Sequence, residues 1–207
     1  MGFVEQARAG LAELARRDRK YEVFGAGSHR YQLERPVRKD RLRRFEARWG
    51  FECPADYRAF LLELGDGGAG PGYGVFPLGK IDGSGTELVA WRKWKLDPSA
   101  AFPHQRKWND ESLLERGAPD PDDFDQPEEY EQALEDWYDS DAAEEAQRAY
   151  ERGLGLHLGA LPICHHGCAL RDWLIVSGPE AGHVWHDASA DQLGVMPIRI
   201  GRRRRVS

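Results

Sequence analysis

Residues 164–168, with the sequence CHHGC, carry the side chains of this chain that are best suited to bind a metal or to act as a nucleophile. A structural zinc site needs three or four cysteine or histidine ligands, and Cys164 and Cys168 fit the usual spacing of a ligand pair only loosely. A second pair could come from His183 and His186, but residues three apart on a strand point to opposite faces of the sheet. We therefore expect no metal and no cofactor, and we interpret the cluster as a buried cysteine with exposed histidines in a turn.

A thiol nucleophile is a second use for the same side chains. Such a site needs a base within hydrogen-bond distance of the thiol and a third group that orients the base. Asp172 and Asp187 are available for the third role, but nothing in the sequence places either of them near a thiol. We therefore expect a protein that is not an enzyme. The alternative function is a zinc-dependent or thiol enzyme that uses Cys164, His165, His166 and Cys168.

Residues 65–70 read GDGGAG and match the G-x-G-x-x-G pattern of dinucleotide-binding loops. In that function the loop follows a strand and begins a helix, so that free N–H groups meet the pyrophosphate. Here the pattern follows a predicted helix and continues into Pro71 and Gly72. The sequence therefore favours a helix end and a turn whose glycines have positive φ.

Charge is distributed unevenly along the 207 residues. Residues 110–151, the acidic block, contain 17 acidic side chains and two basic ones, Arg116 and Arg148, which gives the block a charge of −15. The whole chain has a formal charge of −6, so the rest of the chain carries +9. Such a block is either a solvated insertion or a surface that attracts a basic partner and steers its approach. The candidates for contact with this partner are Asp120, Asp122, Asp123, Asp125, Glu128 and Glu129.

The composition disfavours two classes of partner. The chain contains seven tryptophans, seven tyrosines and a basic run at residues 202–205, which could stack on bases and contact phosphates. The aromatic residues follow apolar stripes, however, and the acidic block repels a polyanion. No apolar run approaches the roughly 20 residues that cross a bilayer. Three cysteines are too few, and odd in number, for a secreted disulfide framework. We expect a cytoplasmic protein that binds neither nucleic acid nor membrane.

The elements that position these side chains begin with three predicted helices. Residues 1–20 are predicted to form an amphipathic helix, and a second helix carries Leu42, Phe45 and Trp49 on one face before a glycine stops it. A third helix opens at Pro54, since proline is favoured in the first turn. The predicted buried face of the third helix consists of Tyr57, Phe60, Leu61 and Leu64.

The second half of the chain is predicted to be mainly β-structure, interrupted by the acidic block. Residues 88–94 have a strand pattern, and residues 170–186 read as two strands joined by a glycine turn. At the end of the block, residues 128–152 are predicted to form one helix that faces the body through an apolar stripe. The stripe consists of Tyr130, Leu134, Trp137 and Tyr138. Helices followed by a β meander indicate an α+β fold with an antiparallel sheet.

Seven short segments carry a pattern that is known from one protein family. They are residues 53–62 (CPADYRAFLL), 65–71 (GDGGAGP), 73–78 (YGVFPL), 161–163 (LPI), 167–169 (GCA), 173–178 (WLIVSG) and 182–185 (GHVW). In this order they closely resemble the signature of the SMI1/KNR4 family within the SUKH superfamily. Because the order of helix, glycine loop and hairpin also agrees, the resemblance is fairly specific.

The resemblance implies a single α+β domain with a SUKH-like antiparallel sheet and N-terminal helices packed on it. The domain would comprise an N-terminal helix at residues 1–20, a core at about 37–96 and 153–200, and an acidic, partly helical insertion at about 97–152. This insertion is long for a minimal family member. Such proteins usually continue into a short Trp-rich helix after the position of Ser207, and we expect that this helix is either lost or removed by truncation.

For bacterial members, the resemblance implies an immunity protein that binds and neutralises a polymorphic toxin, often a nuclease. Eukaryotic relatives act as interaction or regulatory modules, and no catalytic residues come with the family. We therefore expect a non-enzymatic protein-binding module whose partner is a cognate toxin with a basic surface. A general regulatory interaction protein is a further alternative.

Overall fold

The computed structural model describes residues 2–83, 87–200 and 204–205. Within these ranges the α-helices are α1 (Phe3–Arg17), α2 (Ala26–His29), α3 (Lys39–Trp49), α4 (Ala55–Ala59), α5 (Pro127–Tyr138) and α6 (Asp141–Leu154). The strands are β1 (Gly74–Val75), β2 (Lys80–Asp82), β3 (Leu88–Ala90), β4 (Ala160–Gly167), β5 (Leu170–Ile175), β6 (Val184–Asp187), β7 (Val195–Pro197), β8 (Arg199–Ile200) and β9 (Arg204–Arg205). This composition confirms the predicted α+β class.

Five strands form an antiparallel sheet in the order β1-β4-β5-β6-β7. Strands β5 and β6 make the predicted hairpin, in which Trp173 lies opposite Trp185 and Leu174 lies opposite Val184. Strand β4 pairs with β5 and contains two register shifts of the β-bulge type. Strands β2 and β3 pair in a separate hairpin. Because β4, β5 and β6 are adjacent, side chains far apart in the sequence become neighbours on one face of the sheet.

Aromatic side chains dominate the core. Trp91, Trp173 and Trp185 are almost completely buried, and Phe102 packs edge-on against Trp185 with 4.8 Å between the ring centroids. Each aromatic side chain removes roughly 150–250 Å² from water. These few residues therefore contribute a large part of the hydrophobic stabilisation of the domain.

Helix α3 confirms the predicted spacing in the first third of the chain. Leu42 is fully buried, and the Phe45 ring lies 5.2 Å from the ring of Trp91. Gly50 follows the helix at a φ of 68°, a conformation that glycine adopts without strain. The predicted stop signal therefore acts as the C-terminal cap of this helix.

The third predicted helix consists of two parts. Helix α4 starts after Pro54, and from Phe60 to Leu64 the chain continues with π-helical hydrogen bonds. Leu61 and Leu64 are buried as predicted, whereas Phe60 is half-buried. A π-helical turn of this kind rotates the following residues relative to a regular α-helix.

The glycine sequence after this helix forms the predicted turn. Gly67 and Gly68 have φ values of 93° and 98°. Among the described residues, the next α-helix after the turn begins at residue 127, and only short 3₁₀ turns precede it. A Cβ on Gly68 would lie 2.5 Å from the carbonyl oxygen of Gln32. Glycine is therefore required here for backbone packing, which confirms the interpretation as a turn.

The acidic block contains two helices where one was predicted. Helix α5 ends at Tyr138, and the Ser140 hydroxyl accepts a hydrogen bond from the Ala143 N–H at 3.4 Å at the start of α6. Serine is a favoured N-cap residue because its hydroxyl satisfies an N–H that has no partner within the helix. The prediction was wrong because helical periodicity continues across the break, although Ser140 signals a new helix.

Helix α6 attaches the acidic block to the core. Tyr150 is 2% exposed, and its hydroxyl donates to the Asn109 side-chain oxygen at 2.6 Å. Ala146 and Leu154, on the same face of the helix, are also buried. The predicted attachment through α5 was wrong, because α5 buries none of its residues and Tyr138 is 66% exposed.

Two smaller differences concern the ends of the β-structure. The strand predicted at residues 88–94 ends at Ala90, because Trp91 begins a 3₁₀ turn and its indole N–H donates to the Lys80 carbonyl at 2.8 Å. Of the basic run at residues 202–205, the first two lie outside the described residues, and Arg204–Arg205 pairs with β8. Among the described helices, none has both the length and the apolar character needed to cross a bilayer.

Candidate functional site

A groove in the acidic block lies between α5, α6 and the segment that precedes α5. The groove encloses about 1010 Å³, and Tyr138 is a largely exposed part of its wall. Its apolar lining includes Leu114, Tyr130, Leu134, Trp137 and Tyr138. The stripe predicted to face the body therefore lines a groove that is open to solvent.

Acidic side chains surround this apolar lining. They are Glu111, Glu115, Asp120, Glu144 and Glu151. Arg148 is the basic residue of the lining, and it forms ion pairs with Glu144 at 3.3 Å and with Glu145 at 3.4 Å. One arginine compensates only part of this charge, so the groove has a net negative lining that favours cationic groups.

The six acidic residues predicted to meet a partner lie in the segment before α5 and in the first turn of α5, and one of the six belongs to the groove lining. Asp120 lines the groove, and its carboxylate accepts a hydrogen bond from the Asp122 N–H at 3.0 Å. Glu128 and Glu129 occupy the first turn of α5, where the helix dipole favours negative charge. All six side chains are exposed, and no lysine or arginine within the described ranges forms an ion pair with them. Their contact with a partner stays a prediction.

A second group of polar side chains lies on one face of the central sheet. Cys164 of β4 pairs with Asp172 of β5, and Asp172 pairs with His186 of β6. Directly opposed residues of antiparallel strands share a face. His166 Nε2 lies 2.7 Å from one carboxylate oxygen of Asp172, and His186 Nδ1 lies 2.8 Å from the other. One buried carboxylate therefore holds two imidazole rings.

Burial and the Asp172 carboxylate shift the pKa values of His186 and Cys164. The hydrogen bond that the Asp172 carboxylate accepts from His186 raises the pKa of His186 above the usual histidine value. Burial, with a smaller contribution from Asp172, raises the pKa of Cys164 to about 12. The thiol donates to the Pro71 carbonyl at 3.2 Å. Such a thiol stays protonated at neutral pH, which is the opposite of the low pKa that activates a cysteine nucleophile.

His165 lies on the opposite face of the sheet from Cys164. It pairs with Arg171, which forms a bidentate, buried ion pair with Asp82 at 2.6 and 2.8 Å. The His165 ring stacks on Phe76 with 5.9 Å between centroids, and burial lowers the pKa of His165. The structure therefore separates His165 from the other members of the predicted cluster.

The predicted roles of the CHHGC residues are revised in one respect. Cys164 is buried, as predicted, but His165 and His166 are half-buried residues of β4, so placing them in an exposed turn was wrong. Cys168 is exposed beyond the end of β4. The expectation that His183 and His186 do not act together is supported by their partners: His183 Nδ1 contacts the Glu180 carbonyl and not Asp172.

The association of Asp172 with a thiol and two histidines was missed at the sequence level. A signal for part of it exists, because a hairpin centred on residue 179 places residue 172 opposite residue 186. The partnership with Cys164 depends on the register of β4, which two bulges shift. Local spacing does not reveal that register.

The fold and the groove define an α+β domain with an open acidic surface. The sequence matches the family model described as SMI1 / KNR4 family (SUKH-1) over residues 36–189, and the chain belongs to this family. The matched range includes the acidic block and most of the central sheet. The comparison with curated proteins and the comparison with solved structures gave no significant match. Membership of this family is consistent with a protein-binding module of the immunity-protein type.

Proposed function

We propose that this protein is a non-enzymatic binding module that acts in the cytoplasm as a bacterial immunity protein and neutralises a cognate toxin by direct binding. The observation that carries the proposal is the acidic, aromatic-lined groove in a member of the SMI1/KNR4 family. The acidic block occludes the active site of the toxin, or a basic groove beside it. Occlusion requires no chemistry from this chain.

The lining of the groove has the composition of a protein interface. Buried aromatic residues supply most of the binding free energy at many interfaces, and charged residues around them exclude the wrong partners. Trp137 and Tyr138 provide the aromatic centre, and their rings contact each other at 5.1 Å between centroids. The buried Trp137 indole N–H has no hydrogen-bond partner within the part of the chain that the structure describes. A partner that offers an acceptor after a small rearrangement would be favoured there.

The charge of the block selects the chemistry of the partner. A toxin that cleaves nucleic acid needs lysine and arginine side chains in its substrate groove to contact phosphates. The same basic groove is complementary to Asp120, Asp122, Asp123 and Asp125, and the acidic surface competes with the substrate for it. Electrostatic complementarity of this kind accelerates association and lowers affinity for partners of the wrong charge.

Calorimetric titration of the purified full chain with the product of the neighbouring gene tests the proposal. The wild-type chain is expected to bind this product and to inhibit its activity. The triple charge reversal Asp122→Lys, Asp123→Lys and Asp125→Lys is expected to weaken binding by at least about 100-fold, because placing like charges together costs several kcal/mol. Tyr138→Ala is expected to weaken binding by about tenfold or more through loss of the aromatic contact.

A matched control carries the same change of charge outside the acidic block. Glu22→Lys, Glu34→Lys and Glu52→Lys reverse three exposed acidic residues and are expected to leave the affinity within about threefold of wild type. If the acidic triple variant binds as tightly as this control, the acidic surface is not the interface. If the wild-type chain binds the neighbouring product without inhibiting it, the protein is a regulatory module and not an immunity protein.

A further inference from the structure

We propose that Cys164, His166 and Asp172 form a binding site for a single Zn²⁺ ion on the face of the central sheet, with His186 as the positioning residue of the carboxylate ligand. The ligand atoms of the three residues all lie within 4.8 Å of one another. Ligands at about 2.0–2.3 Å from one tetrahedral ion are roughly 3.3–3.8 Å apart. Small side-chain rotations are therefore sufficient to close the site.

The backbone holds the three ligands in place before a metal arrives. Cys164 and Asp172 are directly opposed on β4 and β5, and His166 follows Cys164 by two residues on the same strand. A bulge in β4 lies between residues 165 and 167 and turns this part of the strand. Sites on strands are positioned more accurately than sites on loops. The sheet thus supplies the preorganisation that a metal site requires.

The donor set selects the class of metal. A thiolate, an imidazole and a carboxylate are the ligand types found in zinc sites, whereas magnesium and calcium prefer oxygen ligands only. Three protein ligands leave the fourth tetrahedral position to a water molecule. The side chains of His166 and His186 are 24% and 29% exposed, so an ion can reach the ligands from solvent.

Metal binding balances the charge of this buried group. When the ion binds, the Cys164 S–H bond breaks, the sulfur coordinates Zn²⁺ as a thiolate and the proton leaves to solvent. Because the Cys164 proton is released when the ion binds, the affinity for zinc is expected to rise with pH. The charge of the ion offsets the negative charges of the Cys164 thiolate and of the Asp172 carboxylate.

His186 acts through the carboxylate. Its Nδ1 contacts the Asp172 oxygen that does not face His166, at 2.8 Å. Groups that orient a metal ligand contribute about 10–100-fold to metal affinity. His186 therefore determines how well Asp172 is presented to the ion.

The ligand set differs from the set considered from sequence alone. The Cys164 and Cys168 pair does not converge, because Cys168 is exposed beyond the end of β4. Asp172 takes the place of the second cysteine, and this substitution is visible only in the paired strands. The site shares no residue with the acidic groove, so the tests of zinc binding and of toxin binding are independent.

Elemental analysis and cobalt spectroscopy of the full chain test the site. Protein purified without chelator is expected to contain one zinc per chain, and Co²⁺ added to the chelator-treated chain is expected to give a thiolate charge-transfer band. Cys164→Ser, His166→Gln and Asp172→Asn are each expected to lower metal affinity by more than about 100-fold. His186→Gln is expected to lower the metal affinity by about 10–100-fold and to retain the cobalt band. A purely structural role of His186 would not produce this combination.

Cys168→Ser and His183→Gln are the matched controls and are expected to bind metal as the wild type does. Circular dichroism of each metal-free variant shows whether it folds. If Cys164→Ser does not fold, His166→Gln still tests the site, because the His166 side chain is partly exposed. The proposal is overturned if the wild-type chain gives no cobalt band and holds no zinc. It is also overturned if the band persists in Cys164→Ser or disappears in Cys168→Ser.

Discussion

Asp172 is a carboxylate that the sheet removes almost completely from water. It is 8% exposed, and each of its oxygens faces an imidazole nitrogen, of His166 and of His186. A buried carboxylate is tolerated only when such partners replace its hydration. The contacts with His166 and His186 therefore replace the hydration that Asp172 loses on burial.

The stabilisation that His186 contributes is expected to decrease as the pH rises. The Asp172 hydrogen bond raises the folded-state pKa of His186 above the unfolded value of about 6.5. The contribution is therefore fully present below that value and is lost as the pH rises through the folded-state pKa. His186→Gln should lower the free energy of unfolding more at about pH 5.5 than at about pH 8, as measured by urea denaturation.

The charged and titratable neighbours of His186 determine the control for this measurement. Asp187 and Asp191 also raise the pKa of His186, and the His166 ring lies 5.5 Å away. Asp172→Asn should lower the His186 pKa in an NMR titration because it removes the largest cause of the shift. His183→Gln serves as the matched histidine replacement. An equal loss of stability at both pH values after His186→Gln would contradict the assigned role of Asp172.

The glycine turn is joined to helix α3 and to the start of the sheet by one side chain. Asp66 accepts hydrogen bonds from the Leu78 N–H and from the Arg41 guanidinium, both at 2.7 Å. The Leu78 N–H is buried, whereas the Arg41 side chain is 51% exposed. The first contact therefore replaces lost hydration, and the second is screened by water.

This difference predicts unequal effects of removing the two partners. Asp66→Ala leaves the buried Leu78 N–H without an acceptor and is expected to lower the free energy of unfolding by about 2–3 kcal/mol. Arg41→Ala removes only a partly exposed ion pair and is expected to cost at most about 1 kcal/mol. Urea denaturation of both variants gives the comparison. Equal losses would show that the ion pair, and not the hydrogen bond to the backbone, holds the turn.

Elements governed by local sequence were predicted well, and elements governed by distant partners were not. Helix α3 follows from the spacing of Leu42, Phe45 and Trp49, and the β5–β6 hairpin follows from its glycine turn. The break before α6 had a local signal in Ser140, which was overlooked. The meeting of Cys164 with Asp172 had no local signal, because it depends on a strand pairing that bulges shift. The six acidic residues were named from charge alone, and the aromatic lining beside them required the structure.

For the whole molecule, the separation of charge persists in the folded state. Arg148 and Arg152, which are local to α6, are the basic residues that form ion pairs with the acidic block within the described ranges. Of the charge of +9 elsewhere in the chain, only Arg152, the residue that follows the block, forms a direct ion pair with it among the described residues. Tyr150 fixes α6 to the core, so the negative charge of the block has a defined position on the molecule. An approaching basic protein therefore meets an attractive potential before any contact forms.

This field makes association with a basic partner dependent on salt. Charges separated by more than about 10 Å are screened at 0.1 M ionic strength, so added salt weakens long-range attraction more than short contacts. Stopped-flow mixing of the full chain with the neighbouring gene product should show an association rate that falls by about tenfold or more between low and high salt. The dissociation rate should change much less, because contacts at short range control it. The Asp122, Asp123 and Asp125 triple lysine variant should lose most of this dependence, whereas the Glu22, Glu34 and Glu52 control should keep it. A wild-type association rate that is independent of salt would mean that the acidic block does not steer the partner, even if the groove binds it.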